Sequence, residues 1–488
     1  MRIMTLLGST ASKAIAASVA ALVATFATAP LAAQADRLDL GLRLRAFERA
    51  YEAQSDAKLR ARAAKPLNDA VQAFFGMRLA EAARGIDAAR RIVEGAEDSL
   101  ARRAADAVRV LPERLVLAAG AKSLPLRIDR TYSAPDGENA PLPELEVALH
   151  DASGGEVGAF TGPLPESPFA LPLRPLVDGD HRLTIRISVR RGDAALVAQS
   201  HTLHVAAIAD GDDRLDALET ALDELPAGTK TTTTETIRGG LRLLRSLHDG
   251  RTTETTYPAA AMLRATERWM ASARAGEDGI RGLTGEHWLH VVAGRQTVPV
   301  RIHVPVDLPK DLRVPLVVAM HGAGGSENLF FDGYGDGKVV RLARERGFVV
   351  VAPRSGFLGG PPLPALVDEL ARSLPIDPAR VVVVGHSMGA GQAIAATAKD
   401  PQRYVAVAAL GGGTALRAND ALRSVAFFVG VGTEDFALAG ARALAKSVER
   451  LEPRLARSRE YVGVEHLAIV QHALDDVFAF FDEALKSR

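Results

Sequence analysis

Cysteine is absent from this sequence of 488 residues, which excludes disulfide bonds, thiolate metal sites and lipid attachment at an N-terminal cysteine. Stability therefore has to come from packing alone. Net charge is absent too: Lys+Arg and Asp+Glu each total 59, so no global field draws the chain to nucleic acid or to an anionic membrane. Aromatic side chains make up only 5%, too few for an extended base-stacking surface or a sugar-binding platform. Nucleic acid is thus set aside as a partner.

Charge is also missing from most of the N-terminus. Arg2 and Lys13 flank the start of an alanine/valine run that ends in the small-x-small site Ala33-Gln34-Ala35. This is the pattern of a signal peptide over residues 1–35, cleaved before Asp36. The competing reading is an uncleaved anchor, because residues 14–33 reach the roughly 20 residues needed to span a bilayer. Alanine's weak transfer energy, Pro30 and the small-residue site that follows at once favour cleavage. The expectation is a secreted or periplasmic protein with no stable membrane span after cleavage.

At about 150 residues per domain, the length suggests about three units. Residues 36–110 read as a helical region, with Leu40, Leu44, Phe47 and Tyr51 as one stripe and Leu67, Val71, Phe74 and Phe75 as another after Pro66. From about 111 the period changes to two: in "HRLTIRISVR", Leu183, Ile185, Ile187 and Val189 alternate with polar residues. Residues 111–207 therefore read as a small antiparallel, immunoglobulin-like sandwich. Tyr132, Phe160 and Phe169 are too few for sugar stacking, so it reads as a spacer. Helical patterns return over the connector 208–282. Its threonine clusters "TKTTTTET" and "GRTTETTYP" fit helix caps and turns better than glycosylated linkers.

Residues 283–488 alternate valine-rich strands with amphipathic helices. "VPVRIHVPV", "VPLVVAMHG", "GFVVVAP", "RVVVVGHS", "YVAVAALGGG", "VAFFVGVGTED" and "REYVGVEH" are the strands. Continuous apolar strands are what a parallel sheet covered on both faces requires. The fold class is α/β: a doubly wound, mostly parallel sheet whose active groups sit at the strands' C-terminal ends.

The run "RVVVVGHSMGAGQAIAA" puts Ser387 in a tight turn between a buried strand and a helix. Gly385 and Gly389 allow strand and helix to approach, the turn lifts the hydroxyl above the sheet, and the helix N-terminus offers free N–H groups. A serine needs a base, and the base an acid that holds its tautomer. In this strand order those partners follow as Asp/Glu, then His. Asp435 in "VGVGTEDF" and His466 in "YVGVEHLAIV" both lie just beyond strands, with Glu434 and His472 as substitutes. The loop "MHGAGGSENLFF" offers one oxyanion donor, the Ala323 N–H, and Met388 offers the other. Phe330, Phe331, Phe357 and Phe436 follow strand ends and are candidate substrate-binding walls.

Residues from about 285 resemble an α/β-hydrolase of the secreted serine esterase type, close to the polyhydroxybutyrate depolymerase and feruloyl esterase group. "HGAGGS", "GFVVVAP", "IDPARVVVVGHSMGAGQA", "GTED" and "VEH" carry the resemblance. It implies a Ser387–His466–Asp435 triad, an acyl-enzyme intermediate, a small-molecule or polymeric ester substrate, and no metal or organic cofactor. Ala390 stands where a second glycine often follows the elbow. The N-terminal half matches no part of that family. The alternatives are a peptidase of the same fold, and a cell-envelope binding or scaffold protein with an inactive hydrolase domain; no propeller-like repeat precedes the hydrolase to support the first.

Other signals are weaker. His287-x-x-His290 and His201-x-x-His204 lie in strand-like alternation, where that spacing turns the rings to opposite faces. "GYGDGKVV" only superficially resembles a phosphate loop, since Val339 follows Lys338 in place of Ser or Thr.

Overall fold

The computed structural model describes residues 31–133, 143–191, 194–226, 230–309, 311–356, 359–417 and 419–487. The expected signal segment lies outside these residues up to position 30, and a helix runs from Leu31 to Ala53. No described helix is long and apolar enough to cross a membrane. The chain forms two compact units, one holding Pro30–Ala50 and Leu79–Ile280, the other Tyr51–Arg78 and Arg281–Arg488. The region 36–110, read from sequence as one helical block, is thus shared between them.

In the first unit, β1 (Val108–Pro112), β3 (Ser123–Arg130) and β6 (Phe169–Pro172) form an antiparallel sheet in the order β1-β3-β6. A second sheet takes the order β2-β8-β7-β4-β5, from β2 (Val116–Ala118), β4 (Glu144–His150), β5 (Glu156–Pro163), β7 (Gly179–Arg191) and β8 (Ala194–Ile208). The β2–β8 pair is parallel, the others antiparallel. Leu183, Ile185, Ile187 and Val189 point into one core with Leu124, Leu126 and Leu171, as the alternation in β7 requires. The first helix buries Leu38, Leu42 and Phe47, whereas Leu40 and Leu44 stay half-buried. The expected stripe is rotated because Asp39 and Arg43 turn inward.

Those two residues belong to a buried ionic cluster. Arg43 is sealed from solvent and donates to Asp39 at 2.9 Å and to Asp87. Asp106 receives Arg90 at 2.6 Å, Arg91 at 2.5 Å and Arg102 at 3.4 Å. Tyr132 donates to Asp87 at 2.8 Å, while the Phe160 and Phe169 rings pack on each other at 4.7 Å. Thr231 caps the helix Thr232–His248 in a capping box with Thr234, which accounts for the threonine cluster there.

The second unit is built on a sheet of eight strands in the order β16-β15-β14-β13-β11-β12-β10-β9. These are β9 (Gly285–Ala293), β10 (Gln296–Val304), β11 (Val314–Met320), β12 (Val349–Pro353), β13 (Ile376–His386), β14 (Ala406–Leu410), β15 (Ala426–Gly432) and β16 (Leu455–Tyr461). β9 and β10 form an antiparallel edge; every pair from β12 to β16 is parallel. β11, β12, β14 and β15 are buried along their whole length, the reason their sequences read as unbroken apolar runs. After β11 the chain steps to one side for β12, then to the other for β13. The C-terminal ends of β11 and β13 therefore flank a topological switch point, the place where open α/β sheets bind ligands.

Candidate active site

Four loops converge above this switch point, from β11, β13, β15 and β16. At the end of β13, Ser387 has φ 53° and ψ −115°, a backbone conformation a non-glycine residue holds only when its surroundings impose it. The surroundings do so through close backbone contacts. A Cβ added to Gly385 would lie 2.3 Å from the Gly389 carbonyl oxygen, and one added to Gly389 would lie 2.2 Å from that of Met320. Only glycine lets the helix Met388–Lys399 leave the sheet at this angle. Ser387 remains partly exposed.

The structure brings the three expected side chains together. His466 Nε2 lies 2.9 Å from Ser387 Oγ, and His466 Nδ1 lies 2.8 Å from Asp435 Oδ1. An ionised carboxylate only accepts, so Nδ1 carries the proton, and Nε2 presents its lone pair to the serine hydroxyl. Burial works against ionisation of Asp435, but the neighbouring His466, its hydrogen bond and the Ala437 N–H at 2.8 Å prevail and hold the carboxyl below its ordinary range. Of the substitutes, Glu434 offers its side chain to Thr433. His472 lies in the helix Ile469–Lys486 against Tyr51, 3.3 Å from its hydroxyl.

The glycine loop after β11 meets the elbow directly, since a Cβ on Gly322 would lie 3.4 Å from Ser387 Cβ. His321 fixes that loop: Ser355 N–H donates to its Nε2 at 3.0 Å, so Nδ1 carries the hydrogen given to the Gly322 carbonyl at 2.8 Å. Met388 opens a helix and Ala323 lies partly exposed in the loop. A helix leaves its first amides without internal acceptors. A tetrahedral oxyanion formed at Ser387 could be met by both amides.

His386, buried beside the serine, supports the site from below. Its Nε2 donates to the His466 carbonyl at 2.8 Å, and its Nδ1 lies 2.6 Å from the Tyr334 hydroxyl. Burial, reinforced by the neighbouring His466, brings its pKa down to about 3, so the ring is neutral. Tyr334 was not singled out in the sequence. It begins a left-handed turn with φ of 51°, 84°, 59° and 70° at Tyr334, Gly335, Asp336 and Gly337. This is the stretch that resembled a phosphate loop. Lys338 there is paired with Glu52 at 2.8 Å and Asp475 at 2.7 Å.

The proposed pocket walls divide. Phe436 is 56% exposed and its ring stacks on His466 at 4.0 Å. Phe330 and Phe331, by contrast, belong to the core: Phe330 is 0% exposed and packs edge-on to Tyr334 at 4.7 Å, while Phe331 lies beneath the Arg301 guanidinium at 4.7 Å. The short helix Leu329–Asp332 turns both rings inward. Phe357 lies outside the described residues. His287 and His201 are held by the Thr284 carbonyl at 2.8 Å and the Gln199 side chain at 2.9 Å. Among the described residues no His/Asp/Glu group is arranged to hold a metal ion.

Residues 316–486 match the alpha/beta hydrolase family. No curated protein matches the sequence. Among solved structures, the chain is similar to a ferulic acid esterase at 16% identity, over 41% of this chain and 97% of that one, with a TM-score of 0.36. It is similar to an S-formylglutathione hydrolase from Agrobacterium tumefaciens at 18% identity, over 42% and 98%, with a TM-score of 0.33. It is also similar to a feruloyl esterase module from Clostridium thermocellum at 15% identity, over 41% and 88%, with a TM-score of 0.33.

Proposed function

Taking the C-terminal region as an α/β hydrolase, by its sheet and by its family match, we propose that the protein cleaves carboxylic esters through an acyl-enzyme on Ser387. Ser387 Oγ attacks the ester carbonyl carbon while His466 Nε2 takes the hydroxyl proton. Asp435 stabilises the imidazolium so formed, and the Ala323 and Met388 amides receive the oxyanion. Collapse of the tetrahedral adduct breaks the bond to the alcohol oxygen, which leaves with the proton from His466. Water then gives its proton to His466 and attacks the acyl carbon; a second collapse releases the acid and restores Ser387.

The observation that carries this reading is the unbroken path of hydrogen bonds from Ser387 Oγ through His466 to Asp435, at 2.9 and 2.8 Å. Export from the cytoplasm is part of the same proposal, supported by the charged start, alanine/valine run and small-residue site of residues 1–35. Labelling with a fluorophosphonate and hydrolysis of aryl esters test the chemistry. Ser387→Ala should abolish labelling and lower kcat by about 10⁴-fold or more. A loss of turnover no greater than about twofold would leave Ser387 without the assigned role. Aryl amides run alongside the esters measure the preference between the two bond types.

A further inference from the structure

The second unit contains a helix that the match to residues 316–486 does not include. Ala64–Phe75 packs Leu67, Ala70 and Val71 inward, and at two points it touches the loops that carry the catalytic groups. Asn68 Nδ2 donates to the Glu434 carbonyl at 2.8 Å, next to Asp435. Six residues later Phe74 lies on the oxyanion loop: a Cβ added to Gly324 would come within 2.8 and 2.9 Å of its ring carbons. Six residues of helix advance about 9 Å. The helix therefore reaches from the acid loop to the oxyanion loop. Ser387 nevertheless stays partly exposed, so the helix borders the site without plugging it.

From this arrangement, and resting on the esterase reading above, we infer that the helix Ala64–Phe75 forms one wall of the substrate site and that Phe74 selects esters with a bulky apolar acyl group. The assignment to the acyl side follows from the chemistry. The departing alcohol oxygen must lie by His466 Nε2 to receive its proton, which puts the alcohol group toward Phe436, the ring stacked on His466. The carbonyl oxygen sits at the glycine loop, and the acyl chain extends from the same carbon on the side away from His466. Phe74 is assigned to that side because it meets the glycine loop at Gly324, while the acid loop beside His466 is met by Asn68 at the helix's other end. Phe74 and Phe75 are only half-buried and meet edge-on at 5.6 Å, leaving apolar ring surface beside the site. An apolar acyl chain would cover that surface and be held by it.

The test is kcat/KM for p-nitrophenyl esters of rising acyl length, from acetate to decanoate, with the full chain and its Phe74→Ala and Phe74→Leu variants, active enzyme being counted by fluorophosphonate labelling. Phe74→Ala should lower the ratio of long-chain to acetate kcat/KM by about tenfold, with Phe74→Leu between it and the parent. The ratio is internal to each folded enzyme, and Phe74→Leu supplies it should Phe74→Ala fail to fold. An unchanged ratio in an enzyme that still cleaves esters overturns the role of Phe74 alone. A change confined to a series of acetate esters with longer alcohols overturns the acyl assignment. A parent protein that neither labels nor cleaves any ester takes down the esterase reading, and this inference with it.

Discussion

Tyr334 donates its hydroxyl hydrogen to His386 Nδ1 at 2.6 Å. The direction is fixed because His386 Nε2 must carry the hydrogen given to the His466 carbonyl. The Tyr334 oxygen in turn receives the Gly322 N–H at 3.4 Å. One path of hydrogen bonds thus ties the glycine loop after β11 to the backbone of His466. Tyr334 to Gly337 are held at positive φ, a conformation costly for tyrosine and aspartate, and from this turn the phenol reaches His386.

Removing that hydroxyl should loosen both loops while leaving the ring packed. Tyr334→Phe is expected to lower kcat about tenfold with little change in KM, because the contact acts on the base and the oxyanion donors and not on substrate binding. It leaves a buried acceptor unpaired and should cost about 1–3 kcal/mol of stability. Steady-state kinetics, fluorophosphonate labelling and chemical unfolding read these effects; equal losses of apparent kcat and of the fraction of enzyme that labels would make the residue merely structural.

Gly432 shows how closely the acid and histidine loops are fitted. A Cβ there would sit 1.9 Å from the Val464 carbonyl oxygen, and neither backbone can yield without moving Asp435 relative to His466. Gly432→Ala should therefore lower kcat by about a hundredfold or more, the scale of a misplacement near 1 Å. Turnover within about threefold of the parent would mean that the two loops adjust independently.

The convergence of Ser387, His466 and Asp435 was legible because each has a local reason to be where it is. Valine runs announce buried parallel strands, and loops at their C-terminal ends must gather on one side of the sheet. What strand order cannot specify is the direction of a side chain within a loop. Glu434 and Asp435 stood side by side in the sequence, and only the turn after β15 points Asp435 at His466 and leaves Glu434 to offer its carbonyl to Asn68. Phe330 and Phe331 failed as walls for the same reason. The stripe of Leu67, Val71 and Phe74 was visible as an amphipathic face, but such a face names no partner. Tyr334 left no signal beyond the glycines around it.

In the first unit, Asp106 pairs with Arg90, Arg91 and Arg102 through its two oxygens, all of them buried, and Glu94 and Asp98 share the remaining positive charge. Asp106→Ala should destabilise that unit by about 3–5 kcal/mol, since it strands cations in a dry interior. The protein has two tryptophans, and Trp269 belongs to this unit while Trp288 belongs to the other. In a Trp288→Phe background, urea unfolding followed by tryptophan emission isolates the effect. A loss below about 1 kcal/mol would mean that the remaining carboxylates Asp87 and Glu94 compensate.

Glu465 precedes His466 and is buried, its two oxygens receiving the Leu467 N–H at 2.8 Å and the Ala468 N–H at 2.6 Å. Burial outweighs these donors and raises its carboxyl from the ordinary 4.5 to about 7. Between those values the folded protein holds a proton on Glu465 that the unfolded chain has released, so this group's contribution to stability is full below about pH 4.5 and falls as pH rises toward 7. The loss across that window amounts to about 3 kcal/mol. Glu465→Gln cannot ionise and should flatten the stability of the second unit over the same range, read from Trp288 emission in a Trp269→Phe background. Identical slopes for parent and variant between pH 4.5 and 7 would show that Glu465 is not the group that titrates.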